Sequence, residues 1–394
     1  MAVLMTSKVN QAKDVEQKNA LNSWARGGFI GSVIAGTGFG KSRVGVIATD
    51  KTLSATTDGR AIVLVPTVQL QEQFEEEFLK WGCDEAAAKT EFVCYQSAYK
   101  LKGNHYTIVV CDEIHLGLSE QYRKFFENNT FDRLLCMTAT PPEEIEYKEL
   151  LFEMAPLNYE ISLDECVEKG LVAPYEVVCQ PLELTEKERA AYKKANNQFI
   201  YAKMMLGQFN AFDQAKYIMG AGSATASRED KAAAAMFYKA IRARKKVVDH
   251  ASAKIAALGY LVDEHDGKTL VFGGSNDFTD ALGNSLGELA SIYHSKISKK
   301  NREKALEDFK TGQTPVLCST KALNQGLDVE DATLAVICGL TSKSLTMIQR
   351  VGRVIRFKED KRGKIVCLYV KDSQEEKWLK SSVKNLGNVV WLEA

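Results

Sequence analysis

Short, almost unbroken apolar runs alternate along this chain with stretches of helical periodicity. In the first half the runs are Phe29 to Ala35, Ala61 to Val65, Glu91 to Tyr95, Thr107 to Cys111 and Arg133 to Met137. Runs this short, without polar alternation, predict strands covered on both faces, as in parallel sheets whose crossover helices lie on either side. After the second run, Leu70, Phe74 and Phe78 recur every four residues and predict a helix with that stripe buried, while Glu72, Glu75, Glu76 and Glu77 face water. A second series follows: Tyr175 to Leu182, Thr269 to Phe272, Ser291 to Tyr293, Pro315 to Cys318, Leu334 to Cys338, Ile365 to Val370 and Val389 to Leu392. The expectation is an α/β chain with two parallel sheets and a junction between Pro141 and Pro174, where Ser162-Leu163-Asp164-Glu165 reads as a capping box.

One stretch breaks this rhythm. From Glu183 to Asp266 the sequence is rich in alanine, lysine and methionine, opens on the capping box Thr185 to Glu188, and is interrupted near Met219-Gly220-Ala221-Gly222-Ser223. It predicts a helical insertion near the start of the second domain. The boundaries expected are 1–160 for the first domain, 161–174 for a linker helix and 175–394 for the second domain, with the insertion at 183–266.

Composition narrows the class. The 394 residues suffice for two or three cores, and 45% hydrophobic with 26% charged residues describes an ordinary globular chain. No apolar run approaches the length of a membrane span and the polar N-terminus is unlike a signal peptide, so the expected compartment is cytoplasmic. Nine cysteines form no Cys-X-X-Cys pair. Cys111, Cys136, Cys179, Cys318, Cys338 and Cys367 fall in apolar runs and read as reduced core residues, and a zinc site is not expected. Lysine and arginine balance aspartate and glutamate at 51 each. A polyanionic partner therefore needs a locally basic surface. Arg242, Arg244, Lys245 and Lys246 offer one candidate, either a phosphate contact or an ordinary solvated face.

The first apolar run ends in Ala35-Gly36-Thr37-Gly38-Phe39-Gly40-Lys41-Ser42. A strand, a glycine-rich loop and a helix in this order wrap backbone N–H groups around phosphates, with Lys41 reaching the β and γ phosphates and Ser42 offering a hydroxyl to Mg²⁺. Ala35 stands where the general phosphate-loop pattern has its first glycine. Farther on, Asp112-Glu113-Ile114-His115 closes another apolar run and brings two carboxylates to the same sheet edge, one for the metal and one for the attacking water. Together these read as two halves of an ATP site. In the second half, Gln349-Arg350-Val351-Gly352-Arg353-Val354-Ile355-Arg356 sets Arg353 and Arg356 three apart, on one helical face, with Gly352 leaving room for close approach. Guanidinium groups brought from a second domain can stabilise the charge of phosphoryl transfer.

The ordered set of residues 35–42, Pro66-Thr67, Asp112 to His115, Thr138-Ala139-Thr140, Ser319-Thr320 with Gly326 and Asp328, and residues 349–356 resembles the signature of superfamily 2 helicases. The resemblance runs from about Gln17 to Phe357. It implies two tandem RecA-like domains with ATP and Mg²⁺ between them. Gly36, Thr37, Gly38, Gly40, Lys41 and Ser42 would hold the nucleotide with Gly326 and Asp328, and Ser42 and Asp112 would hold Mg²⁺. Glu113 would activate water, and Gln349, Arg353 and Arg356 would complete the site. Gln17 sits where such proteins read adenine. Pro66, Thr67, Ser319 and Thr320 fall in motifs that touch the nucleic-acid backbone, and Thr138 and Thr140 couple that track to the ATP site. Without the resemblance, turn and cap chemistry would explain these threonines.

His115 in the fourth position and the lack of an extended glutamine motif argue against a DEAD-box RNA helicase. Tyr293-His294-Ser295 with Arg302 and Phe309, and the junction Leu163 to Tyr175, look like the XPB, UvsW and RecG-like DNA motors. The insertion is similar in position to their thumb-like elements, and a chain little longer than a motor core is similar to compact phage-encoded helicases. The function implied is an ATP-dependent helicase or translocase acting on duplex or branched DNA, working as a monomer. Two alternatives stand beside it: an RNA helicase or ribonucleoprotein remodeller, and a motor subunit of a larger complex, such as a restriction enzyme, that separates no strands itself.

Overall fold

The computed structural model describes residues 2–207, 210–320, 332–341, 352 and 362–393, with side chains described from residue 11 onward. Two sheets follow one another along the chain. The first contains β1 (Ile30–Ala35), β2 (Ala61–Val65), β3 (Thr90–Cys94), β4 (His105–Cys111), β5 (Thr130–Thr138) and β6 (Leu157–Ile161), in the order β3-β2-β4-β5-β1-β6. The second contains β7 (Tyr175–Leu182), β8 (Lys268–Phe272), β9 (Ala290–Tyr293), β10 (Val316–Ser319), β11 (Ala332–Ile337), β12 (Gly363–Val370) and β13 (Val389–Trp391), in the order β13-β7-β12-β11-β8-β10-β9. Every pairing is parallel. Both faces of each sheet are therefore covered by helices, and strands such as β2 are buried at every residue.

The predicted strands are present, and two elements join them that the apolar pattern does not reveal. β6 lies inside the stretch expected as the junction. Ile161 is buried, Asn158 and Tyr159 are half-buried, and Leu157 and Glu160 are exposed, because this is an edge strand paired with β1, so its sequence is mixed. The helix Ala2–Arg26 packs Ala20, Leu21 and Trp24 into the first core, and the Trp24 indole donates to the Leu134 carbonyl at 2.9 Å. The helix Val68–Lys80 buries Phe74 and Phe78, and Thr67 caps it by accepting from the Leu70 N–H. All nine cysteines are free thiols. Among the described residues no helix is long and apolar enough to cross a membrane.

The stretch 183–266 comprises two packing units. Helices Glu186–Met205, Ala211–Met219 and Arg228–Asp249 share an apolar cluster that includes Ala202, Leu206, Ala215, Ile218, Ala234 and Phe237. The helix Ser252–Asp263 instead packs Leu258 and Val262 onto the second sheet. Capping boxes begin the helices at Ser162, Thr185 and Ser227. Where the fourth helix meets the sheet, Lys254 Nζ donates to both Glu375 oxygens at 2.8 and 2.9 Å and to the Cys338 carbonyl at 2.7 Å, all fully buried. The Val370 N–H donates to the same carboxylate at 3.1 Å. Each charge is thus hydrogen-bonded by its surroundings as well as paired, the condition under which a buried ion pair is tolerated. Burial still pushes the Glu375 carboxyl above its ordinary range, with Lys254 opposing the shift.

Candidate active site

Sheet order assembles the first half of the site. β5 lies between β1 and β4, with Ile34 opposite Thr138 and Cys111 opposite Cys136. The loop that leaves β1, the threonine that ends β5 and the acidic pair that leaves β4 therefore meet at one carboxyl edge. Crevices outside such edges are where open α/β sheets bind ligands.

The loop geometry explains the departure at Ala35. Ala35 is still strand, paired with Ile161 of β6, and the turn starts only at Gly36. Gly38 and Gly40 take φ of 87° and 91°. That left-handed region is open to glycine and strained for other residues. A Cβ would also lie 2.6 Å from Val172 Cγ1 at Gly38 and 2.4 Å from Gln17 Nε2 at Gly40. The helix Lys41–Ser54 begins without a side-chain cap, so its first N–H groups have no side-chain acceptor. Such an end favours an anion. Lys41 Nζ rests on the Ala35 carbonyl at 3.0 Å, and Thr37 Oγ1 is buried without a hydrogen-bond partner.

Across β5, Asp112 is 7% exposed. Burial and the neighbouring Glu113 charge raise its carboxyl to a pKa of about 7, with Lys41 pulling the other way. The Tyr95 hydroxyl donates to the Asp112 carbonyl at 2.9 Å. Glu113 takes φ 48° and ψ 50°, a left-handed conformation rare for a side chain of its size. Strain of this kind, worth about 1–3 kcal/mol, gathers at functional sites. Glu113 Oε2 lies 3.2 Å from Thr138 Oγ1, which lies 2.9 Å from His115 Nδ1 and 2.9 Å from the Thr140 carbonyl. One hydroxyl at the end of β5 thus ties the acidic segment to the 138–140 turn. The Thr140 hydroxyl is itself buried and unpartnered.

Gln17 is 3% exposed and lies against the same loop. Its Nε2 donates to the Phe39 carbonyl at 2.8 Å, and its Oε1 accepts from Arg43 at 2.9 Å. Arg43 also pairs with Asp14, and its guanidinium stacks 4.0 Å from the Trp81 ring centroid. Both ends of the Gln17 amide are therefore engaged with the phosphate loop and its helix. Sequence reasoning missed Asp14 and Arg43. The signal available was Asp14 and Gln17 three apart, on one face of a helix.

The second domain reaches the site through Gly352. A Cβ there would lie 2.0 Å from Thr37 Oγ1, so this glycine packs directly on the phosphate loop. Gln349, Arg353, Arg356, Gly326 and Asp328 lie outside the described residues. Of the residues expected at nucleic acid, Pro66 is buried at the end of β2 and the Thr67 hydroxyl is engaged as a helix cap. Ser319 is buried with an unpartnered hydroxyl, and Thr320 Oγ1 donates to Asn276 Oδ1 at 2.9 Å. The basic cluster divides. Arg244 stacks 4.1 Å from the Phe199 ring and Lys245 pairs with the buried Asp249 at 2.6 Å, while Arg242 and Lys246 are exposed.

Two parallel-sheet domains, a phosphate loop, an acidic pair one strand away and a second-domain glycine seated on that loop define a tandem-domain P-loop nucleoside triphosphatase. The model for the type III restriction enzyme res subunit matches residues 13–143, and that for the helicase conserved C-terminal domain matches residues 253–358. The chain is 25% identical to the DNA 3'-5' translocase XPB2 of Sulfurisphaera tokodaii over 91% of this chain and 82% of that one. It is 24% identical to the DNA 3'-5' helicase XPB of Mycobacterium tuberculosis over 90% of this chain, and spans 60% of that longer protein. The Pyrococcus furiosus Hef helicase domain shares the fold, with a TM-score of 0.59 at 16% identity, covering 94% of this chain and 97% of that one. The chain thus carries a res-subunit domain followed by a helicase C-terminal domain, and over about nine-tenths of its length it is similar to XPB-like DNA translocases and helicases.

Proposed function

We propose that this protein is an ATP-dependent DNA translocase and helicase that hydrolyses ATP between its two domains and moves 3'-5' along DNA, remodelling duplex or branched substrates. The contact of Gly352 with Thr37 carries the reading, because it joins the arginine-bearing segment of one domain to the phosphate loop of the other. Chemistry that needs both domains is how such motors couple hydrolysis to domain movement.

The residues fit a nucleotide with Mg²⁺. Gly38 and Gly40 leave a concave backbone, the helix end at Lys41 favours phosphate, and Asp112 is a buried carboxyl whose pKa is raised by burial and by the Glu113 charge, so that a cation would favour its ionised form. Ser42 and Asp112 would hold Mg²⁺, which when bound would neutralise phosphate charge. Lys41 would leave the Ala35 carbonyl for the phosphates. Glu113, fixed by Thr138, would orient water and accept its proton. Arg353 and Arg356, with Gln349, would approach with Gly352 and stabilise charge on the transferred group. Gln17 would hold the loop in shape, through the Phe39 carbonyl.

The helices between 186 and 249 supply the local positive charge that a neutral chain requires, with 13 lysines and arginines against 6 acidic residues. Turnover measured with duplex DNA, forked DNA, single strands and RNA tests the proposal. DNA stimulation, strongest with duplex or fork, is expected, and stimulation by RNA alone would overturn the choice of DNA. The match of residues 13–143 to a restriction-enzyme subunit favours a second reading, a motor that translocates without separating strands. Displacement of a triplex-forming strand with no unwinding of a fork would favour it.

A further inference from the structure

The helical unit has two unlike ends. At its root Glu188 accepts the Ser252 N–H at 2.9 Å, fastening the first helix to the sheet domain. The first and third helices pack against each other, with Phe199 and Phe237 stacked at 5.3 Å. The far end carries Tyr201, Met204 and Met205 on the first helix and Phe212, Tyr217 and Met219 on the second, each more than half exposed. The buried core of the unit includes none of the six, although Phe212 packs edge-on against Phe237 and Tyr238 and the Tyr217 ring lies against Gly222. Single exposed apolar residues need no explanation, but a group of this size at one end of an element marks a contact surface.

Charge indicates what the contact takes. Between residues 190 and 219 Asp213 is the only acidic residue, beside Lys193, Lys194, Lys203 and Lys216. The whole unit carries a net charge of +7 in a chain that is neutral overall. Aromatic rings and methionines set among lysines suit a ligand that is anionic along its backbone and flat and apolar on its faces. Unpaired nucleotides have both properties: bases stack on aromatic rings, and apolar side chains wedge between exposed base steps.

We propose that the distal end of this unit is a base-stacking surface that engages unpaired bases at the junction of single and double strands. The inference rests on the reading of the chain as a DNA motor and adds to it the structural feature of DNA that the motor recognises. Phosphate contacts alone do not distinguish a fork from a blunt duplex, whereas stacking requires bases out of the helix.

The test uses the full chain. Wild-type protein and a Tyr201→Ala/Met204→Ala/Tyr217→Ala variant are compared on a fork and on a blunt duplex of equal phosphate number, with 2-aminopurine in the first unpaired position of the fork. Wild type should bind the fork more tightly and change the 2-aminopurine emission. The variant should lose about tenfold in the ratio of fork to duplex affinity, together with the emission change. Tyr201→Phe/Tyr217→Phe should keep both, since stacking uses the ring and not the hydroxyl. An unchanged ratio, or equal loss on both substrates, overturns the proposal. So does a wild-type dimer that the variant converts to monomer with the ratio intact, which would make the surface a protein interface. Wild-type turnover indifferent to every polynucleotide would instead defeat the functional reading itself, before any variant is made.

Discussion

The carboxyl edges of the two sheets are built alike and used differently. In each, an interior strand runs into glycines and then a helix: β1 into Gly36 and the helix Lys41–Ser54, β8 into Gly273-Gly274 and the helix Asn276–Leu286. On the first edge Gly38 and Gly40 take left-handed φ, the helix has no side-chain cap and Lys41 stands at its start. On the second edge neither glycine takes a positive φ, and Ser275 caps the helix through the Phe278 N–H. The space there is filled from within. A Cβ at Gly274 would lie 2.6 Å from Asp249 Oδ1, and one at Gly339 would lie 2.2 Å from the Gly274 backbone. A carboxylate of the protein, held by Lys245, thus occupies the second edge. The parallel fold creates an anion-favouring edge twice, and small local choices decide which one is left for phosphate.

Breaking the first edge has the largest expected effect. Lys41→Ala should reduce ATP turnover by about a thousandfold or more, since a charge aimed at the transferred phosphate is lost. The side chain makes one hydrogen bond, to the Ala35 carbonyl, so circular dichroism and the melting temperature should change little. Near-normal turnover would sink the assignment of this loop to ATP. Next comes the joint between the halves. Gly352→Ala should reduce turnover by about a hundredfold while nucleotide affinity holds, because a methyl group 2.0 Å from Thr37 Oγ1 keeps the arginine segment off the loop. Equal losses in binding and turnover would mean that the loop itself had been deformed.

The filled edge should respond in stability and not in chemistry. Lys245→Met leaves the Asp249 carboxylate, 4% exposed, without its cation and should destabilise the second domain by about 1–3 kcal/mol in urea titrations. A loss of DNA-free turnover in the folded protein would show that the two edges are less independent than their geometry suggests. Asp112→Asn should act in the opposite sense on stability. An ordinary aspartate ionises near 3.8, and Asp112 near about 7. Between those values the folded protein holds a proton that the unfolded chain has released, so stability falls as pH rises through that window. Without nucleotide, asparagine should therefore raise stability by about 1–2 kcal/mol at pH 8 and by little at pH 4, while turnover is lost. Equal stabilisation at both pH values would remove ionisation as the cause.

The first edge was legible in the sequence because phosphate chemistry dictates residue types in a fixed order, from Gly36 to Ser42 and from Asp112 to His115. Core strands were legible because parallel sheets bury whole runs. β6 was not, since an edge strand need not be apolar along its length. The setting of Gln17 was hidden for another reason: its partner Phe39 is 22 residues away, and the Arg43 that steadies it pairs with Asp14 across 29. Local spacing sets Asp14 and Gln17 on one helical face but does not encode their partners in the phosphate loop and its helix. The second edge was illegible for the same cause, because Lys245 reads as part of a basic run until its partner Asp249 is seen to be buried.

That run supplies the smallest effect and divides the cluster most finely. Arg242 and Lys246 are exposed, whereas Arg244 lies on the Phe199 ring with its Nε buried and Lys245 is held by Asp249. Replacing Arg242 and Lys246 by glutamine should weaken DNA binding only a few-fold near physiological salt. If each meets a phosphate, the slope of log affinity against log salt should shrink by about 0.9 per residue. Replacing Arg244 and Lys245 by glutamine should act mainly on the melting temperature, because a guanidinium stacked on a ring and an ammonium paired with a buried carboxylate support the helices themselves. An unchanged slope in the first variant would return Arg242 and Lys246 to an ordinary solvated face. A reduced slope in the second, with stability intact, would mean that the ring and Asp249 release these side chains when DNA binds.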